Sequence, residues 1–231
     1  MVGLPRAHID WTPSYRIIPS RFPPVGLFDR VANPADLEAV FALEAMTNDR
    51  LRDEAGEIEL VPAEERISGP GTTCIMSAFT HINTYGSRFS NGAYGVYYCA
   101  LEQDTAITET VYHRARFLSA TKEDAMEIDM RVYLSNLNAA LHDLREISDP
   151  VLYDLVDYSA GQQLGLQLKN AGSYGAVYRS VRHAGGQCAA VFRPKAFVLD
   201  GHQCRQGAHL TYRWDGKTIT SVYEKKNFIS L

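Results

Sequence analysis

The sequence predicts an α+β fold, a single domain in which a mixed, largely antiparallel sheet carries flanking helices. Three observations lead there. Short apolar or alternating runs at 95–101, 125–134, 175–182 and 186–194 have strand character, and stretches at 35–51, 103–118 and 159–170 carry apolar residues at helical spacing. These two kinds of segment do not follow one another in the regular βαβ order that a parallel, doubly wound sheet requires. The chain also lacks internal repeats, low-complexity tracts and long Pro/Gly/Ser linkers, which favours one domain over residues 1–231.

Taken in order, the first thirty residues contain Pro5, Pro13, Pro19, Pro23 and Pro24, so they are expected to run extended over the body without regular structure. Asn33 followed by Pro34 marks a helix start, and "ADLEAVFALEAMTNDRL" places Leu37, Val40, Phe41, Leu43 and Ala45 near one helical stripe. Gly56 to Pro62 reads as a short strand. "SGPGTTC" at 68–74 is a turn leading into "IMSAFTHI", a buried helix or a strand. "GVYYCAL" from Gly95 is a buried strand with Val96, Tyr98 and Ala100 on one face. "EQDTAITETVYHRARFL" follows as a helix through Leu118, with Asp104 and Thr105 as candidate caps.

"AMEIDMRVYL" at 125–134 alternates Met126, Ile128, Met130 and Val132 with Glu127, Asp129 and Arg131, the pattern of a half-exposed strand. A helix spans Ser159 to Asn170. "GAVYRSVR" and "GQCAAVFRP" are two strands joined at "HAGG", and "AHLTYRWDGKTITSVYEK" is a hairpin turning at Asp215-Gly216. Within the domain this gives an N-terminal extension with its packed helix (1–70), a core (71–200) and a C-terminal hairpin (201–231).

With 45% hydrophobic and 22% charged residues, the 231-residue chain has the composition of an ordinary globular protein. A net charge of −4 and no basic cluster longer than the Lys225-Lys226 pair give no electrostatic reason to bind nucleic acid. No run of apolar residues is long enough to span a membrane, and the opening residues lack a secretory core, so a cytoplasmic location is expected. Cys74, Cys99, Cys188 and Cys204 stand far apart without metal-ligand spacing and read as buried thiols, with no metal implied.

Nucleophile elbows, P-loops and Rossmann glycine fingerprints are all missing from the sequence. What remains is "GSRFSNGAYGVYYCALEQDTAITETVYH" at 86–113, which sets Arg88 in a Gly-flanked loop, Tyr98 on a strand and Glu109 in the following helix. For a dinucleotide these types divide the work. An arginine fork grips phosphate, an aromatic ring packs on a planar ring, and a carboxylate beside a ribose stabilises an oxocarbenium-like transition state. The same residues also fit a surface arginine, a core tyrosine and a solvent-facing glutamate paired with His113. Spacing alone does not choose between the two.

Three blocks, "YRIIPSRFPP" at 15–24, the 86–113 stretch and "GAVYRSVRHAGGQCAAVFRP" at 175–194, make the chain resemble the RES-domain family, the toxin half of bacterial toxin–antitoxin systems. Its name comes from an arginine, a glutamate and a serine, which match Arg88, Glu109 and Ser180, with Tyr98 matching the tyrosine between the first two. Arg16, Arg21 and Arg182 compete for other arginine roles.

The resemblance implies a fold similar to ADP-ribosyltransferase toxins. It implies cleavage of the nicotinamide–ribose bond of NAD, by phosphorolysis or hydrolysis, leading to growth arrest. Arg88 would hold the pyrophosphate or an incoming phosphate, Tyr98 would pack on the nicotinamide end, Glu109 would stabilise the ribosyl cation, and Ser180 would bind nicotinamide or its ribose. NAD is then a substrate, with inorganic phosphate as a co-substrate and no further cofactor. A cognate antitoxin carrying a DNA-binding module is the implied partner. A mono-ADP-ribosyltransferase acting on a protein, and a non-catalytic binder of NAD or antitoxin, stay open, as does self-association into a homo-oligomer.

Overall fold

The computed structural model describes residues 3–20, 29, 56–197 and 204–226, and the helix expected at 35–51, together with Arg21, lies outside them. Among the described residues there are seven strands, β1 (Arg6–Pro19), β2 (Tyr97–Ala100), β3 (Met126–Asp143), β4 (Gly175–Arg179), β5 (Gln187–Val191), β6 (Cys204–Trp214) and β7 (Ile219–Glu224). Three α-helices accompany them, α1 (Thr73–Thr80), α2 (Gln103–Thr121) and α3 (Ser159–Asn170). The sheet order is β1-β2-β5-β4-β3-β6-β7, and an added β1–β3 ladder closes its first five strands into a ring. Only β3–β4 pairs in parallel among the described strands, so the sheet is mixed and largely antiparallel, as the sequence predicts.

Closure of the ring is narrow at two corners. β1 meets β2 only at Tyr15 and Ala100, and β3 meets β4 only at His142–Ala176 and Asp143–Val177. The ring is thus two sheets, β2-β5-β4 and β1-β3-β6-β7, leaning together at their ends. Strand alternation sorts side chains to two sides. Tyr97, Cys99, Val177, Ala189 and Val191 pack with Ile75, Met76 and Phe79 of α1 in one core cluster. Val96, Ala100, Ala176, Tyr178, Cys188 and Ala190 pack with Ala106 of α2 and Leu168 of α3 in the other. Tyr98 joins this second side, where the functional candidates gather.

Several expectations need correction. The N-terminal segment is a regular 14-residue strand, not an extended run outside regular structure. Its prolines fall where a ladder tolerates them: Pro5 precedes the strand, Pro13 sits at the register shift between Trp11 and Ser14, and Pro19 ends it. Gly56 to Pro62 holds a 3₁₀ turn at Ile58–Leu60 in place of a strand. The ambiguous "IMSAFTHI" is helical, and the Asp29 carboxylate accepts both the Thr73 N–H and hydroxyl at 2.8 Å at the start of α1.

The strand at 125–134 extends to Asp143; Met130 to Tyr133 are buried, and beyond them buried residues alternate with partly exposed ones up to an exposed Ala140, while β1 pairs along 130–142 and β6 along 126–135. Glu102, and neither Asp104 nor Thr105, occupies the cap position of α2. Cys99 and Cys188 are buried thiols, whereas Cys74 and Cys204 form a disulfide. No described helix is long and apolar enough to cross a membrane.

Candidate active site

The site is built on one face of α2. Thr105, Glu109, Tyr112, His113 and Arg116 follow the spacing that puts side chains above one another on a helix. The opposite face is held down by Ala106, Ile107 and Val111 in the core and by a 2.7 Å hydrogen bond between the Thr110 and Tyr212 hydroxyls. The Glu109 face therefore has a fixed orientation, turned toward the β4–β5 connection and the segment 149–158.

Glu109 meets Ser180 across 71 residues of sequence. The Ser180 hydroxyl donates to Glu109 Oε1 at 2.5 Å and accepts the backbone N–H groups of Arg182 (3.1 Å) and His183 (2.9 Å). Expected on a strand, Ser180 instead sits one residue past β4, in the turn, where its oxygen is free to cap two amides. His183 continues the network by a 2.8 Å hydrogen bond between its Nδ1 and the Thr105 hydroxyl. The carboxylate is thereby pointed by a rigid turn. His113 Nε2 lies 3.9 Å from Glu109 Oε2, beyond hydrogen-bond distance. Partial desolvation, followed by the charges of Arg182, Arg88, Arg116 and Arg114, lowers the His113 pKa to about 4 although its side chain is half exposed.

Tyr98 and Arg88 are joined through the Arg88 loop. The Tyr98 hydroxyl accepts the Phe89 N–H at 2.9 Å and shares a 2.8 Å hydrogen bond with the Ser87 hydroxyl. Burial pushes its pKa up to about 12, so it acts as a neutral phenol. The loop itself is seated on α3. A Cβ on Gly165 would lie 2.0 Å from the Phe89 carbonyl oxygen, and one on Gly161 2.4 Å from that of Arg88. Only glycine at both positions lets the Arg88 backbone touch the helix.

Arg88 is 8% exposed and stacks on Tyr158, its guanidinium carbon 4.6 Å from the ring centroid. Its Nη1 donates to Leu152 O at 3.1 Å and its Nη2 to Asp154 O at 3.0 Å. Arg182 stacks on Tyr112 at 3.5 Å and donates from Nη2 to Leu155 O. Arg16 is apart from this group. Its Nη1 reaches Tyr98 O at 3.2 Å while its guanidinium stacks on Tyr97, on the other side of the sheet.

A family model described as the RES domain matches residues 63–215. The chain belongs to the RES-domain family. Arg88, Tyr98, Glu109 and Ser180 all fall inside the matched span. The uncharacterized protein y4oC of Sinorhizobium fredii is 30% identical over 212 residues, 90% of this chain and 86% of that one. The crystal structure of the M. tuberculosis MbcT-MbcA toxin-antitoxin complex is 13% identical with a TM-score of 0.47, covering 90% of this chain and 87% of that chain.

In this RES-domain protein, Ser180 touches Glu109, Tyr98 holds the Arg88 loop, and Arg88 grips the 152–154 main chain. Sequence reading missed Tyr112, Tyr158, His183 and the two α3 glycines, and took Thr105 for a cap when its hydroxyl bonds His183. The α2 face was readable from the position of Glu109, since Thr105 and His113 lie one turn either side. Tyr158 and the glycines carry no signal without the fold.

Proposed function

We propose that this RES-domain protein cleaves the nicotinamide–ribose bond of NAD as the toxin of a toxin–antitoxin pair. The observation that carries the reading is the contact between Glu109 and Ser180. Two residues matched to a family signature are held 2.5 Å apart by a turn whose amides fix the serine oxygen.

The nicotinamide nitrogen of NAD is already cationic, so it leaves with the electrons of the C1′–N bond as a neutral amide-bearing ring and needs no general acid. Positive charge develops on the ribose, and the Glu109 carboxylate is the group to stabilise it. The Ser180 hydroxyl keeps that carboxylate aimed, and Arg88 with its stacked Tyr158 supplies positive charge for the phosphates. Tyr98 supports the reaction by fixing the Arg88 loop. The acceptor oxygen, from water or phosphate, forms the new bond to C1′ and gives up its proton to solvent.

The antitoxin partner belongs to the same reading. Tyr85 is 94% exposed, and Val151, Leu155 and Val156 are exposed on the segment that Arg88 and Arg182 hold, an apolar rim suited to being covered. The test is incubation of the chain with NAD, with and without phosphate, and identification of products by mass. Free ADP-ribose, ADP-ribose phosphate or an ADP-ribosylated polypeptide each names the acceptor, and unchanged NAD refutes the proposal.

A further inference from the structure

Two arginines of this site spend their hydrogen bonds on neutral partners. Arg88 donates to the carbonyls of Leu152 and Asp154, and Arg182 to the carbonyl of Leu155. Among the described residues neither pairs with a carboxylate. The nearby Asp154 carboxylate accepts the N–H groups of Val156 and Asp157, both at 2.7 Å, and acts on the two arginines only at longer range, without an ion pair. The Arg182 Nε is buried and has no hydrogen-bond partner among the described residues. Each guanidinium is pre-oriented by an aromatic plate, Tyr158 under Arg88 and Tyr112 under Arg182.

Such an arrangement has an unmet requirement. A half-buried guanidinium with only carbonyl partners and one orphaned donor has no direct anionic partner, and a phosphoryl oxygen offers the opposite charge and fork-matching geometry that a neutral carbonyl lacks. The main chain from Leu152 to Leu155 lies where three such oxygens would bond. The Arg182 amide also sits on the Ser180 oxygen that contacts Glu109, which places this site against the carboxylate.

We infer that Arg88 and Arg182 form a two-guanidinium receptor for a phosphoryl anion, and that the 152–155 main chain is a place-holder which the anion displaces. Arg182 is thus assigned a ligand-binding role of its own, and the strap carrying Leu155 and Val156 loosens when the site fills. The inference rests on the reading of this site as one for NAD, whose pyrophosphate bridge is one source of the anion; free phosphate is the other.

The test is titration calorimetry of the full chain with inorganic pyrophosphate and, separately, with orthophosphate. Arg182→Gln is expected to weaken binding about tenfold or more. Arg182→Lys keeps the cation and stem but not the stacked fork, and is also expected to bind more weakly; it serves if the glutamine variant does not fold. Hydrogen exchange of amides 151–156 is expected to quicken when the anion binds the wild-type chain. Tighter binding of pyrophosphate points to the dinucleotide bridge as occupant, and tighter binding of orthophosphate to the incoming phosphate.

Equal affinity of wild type and both variants for both anions overturns the receptor, and binding without faster exchange at 151–156 overturns the displacement. The binding measurement itself involves no turnover, and NAD loss is followed separately. Weakened anion binding in a chain that leaves NAD intact would sink the NAD reading alone, and NAD loss with Arg182-independent anion binding would sink this inference alone.

Discussion

Removing the Ser180 hydroxyl is the perturbation whose size follows most directly from the structure. In Ser180→Ala, Glu109 Oε1 loses a donor at 2.5 Å, and the amides of Arg182 and His183 lose the acceptor they share. A hydrogen bond to a charged group contributes about 1.5–3 kcal/mol. If the carboxylate needs that bond to face the ribose, kcat/KM for NAD falls by about tenfold to 150-fold. Ser180 is only 8% exposed, so the two amides are poorly placed to recruit water, and global stability falls by about 1–3 kcal/mol as well.

The assay is NAD consumption on variants whose folded fraction is fixed by thermal melting. Ser180→Thr, which restores a hydroxyl, should recover part of both losses. An alanine variant with kcat/KM within about twofold of wild type would refute the coupling between the serine and the carboxylate.

Other predictions draw on the same geometry. Gly165→Ala puts a methyl 2.0 Å from the Phe89 carbonyl oxygen, backbone against backbone, and is expected to lower stability by about 1–3 kcal/mol in urea unfolding while also reducing activity through the Arg88 loop. Tyr98→Phe strands the buried Phe89 amide and should cost about 1–3 kcal/mol, with melting as the measure; an unchanged melting temperature would show that the loop does not depend on the phenol.

For pH, the His113 pKa is lowered from 6.5 to about 4, so the unfolded chain takes up the proton first and stability falls as pH drops from about 6.5 toward 4. Its side chain is 52% exposed, and solvent screening keeps the effect small. His113→Asn should flatten the pH dependence of unfolding in that window, and an equally steep dependence in the variant would assign it to other groups.

Local patterns carried most of the fold. The α3 helix, the strand pair around "HAGG" and the hairpin at Asp215-Gly216 each have a period and a turn signal within the segment itself, and each is present, although β4 stops at Arg179, short of Ser180. The N-terminal strand was hidden because proline content speaks of local backbone limits. Whether a ladder absorbs Pro13 at a register shift depends on β3, more than a hundred residues away.

The candidate site divides the same way. Arg88, Tyr98, Glu109 and Ser180 were legible through a family signature. Their contacts were not, since Ser180 reaches Glu109 only after β4 and β5 form, and Arg88 faces the strap only because Gly161 and Gly165 let its loop rest on α3. The disulfide between Cys74 and Cys204, 130 residues apart, has no local signal of any kind.

The central claim is that Glu109 stabilises the charge formed when nicotinamide leaves. Glu109→Gln keeps the size of the side chain and an oxygen for the Ser180 hydroxyl while removing the charge. The most direct measurement is nicotinamide release from NAD by the wild-type and Glu109→Gln chains at equal folded concentration. The account predicts release by the wild type and at least a hundredfold slower release by the variant, on the order of the loss of one strong electrostatic contact in a catalytic site. Release by the variant at the wild-type rate would contradict it.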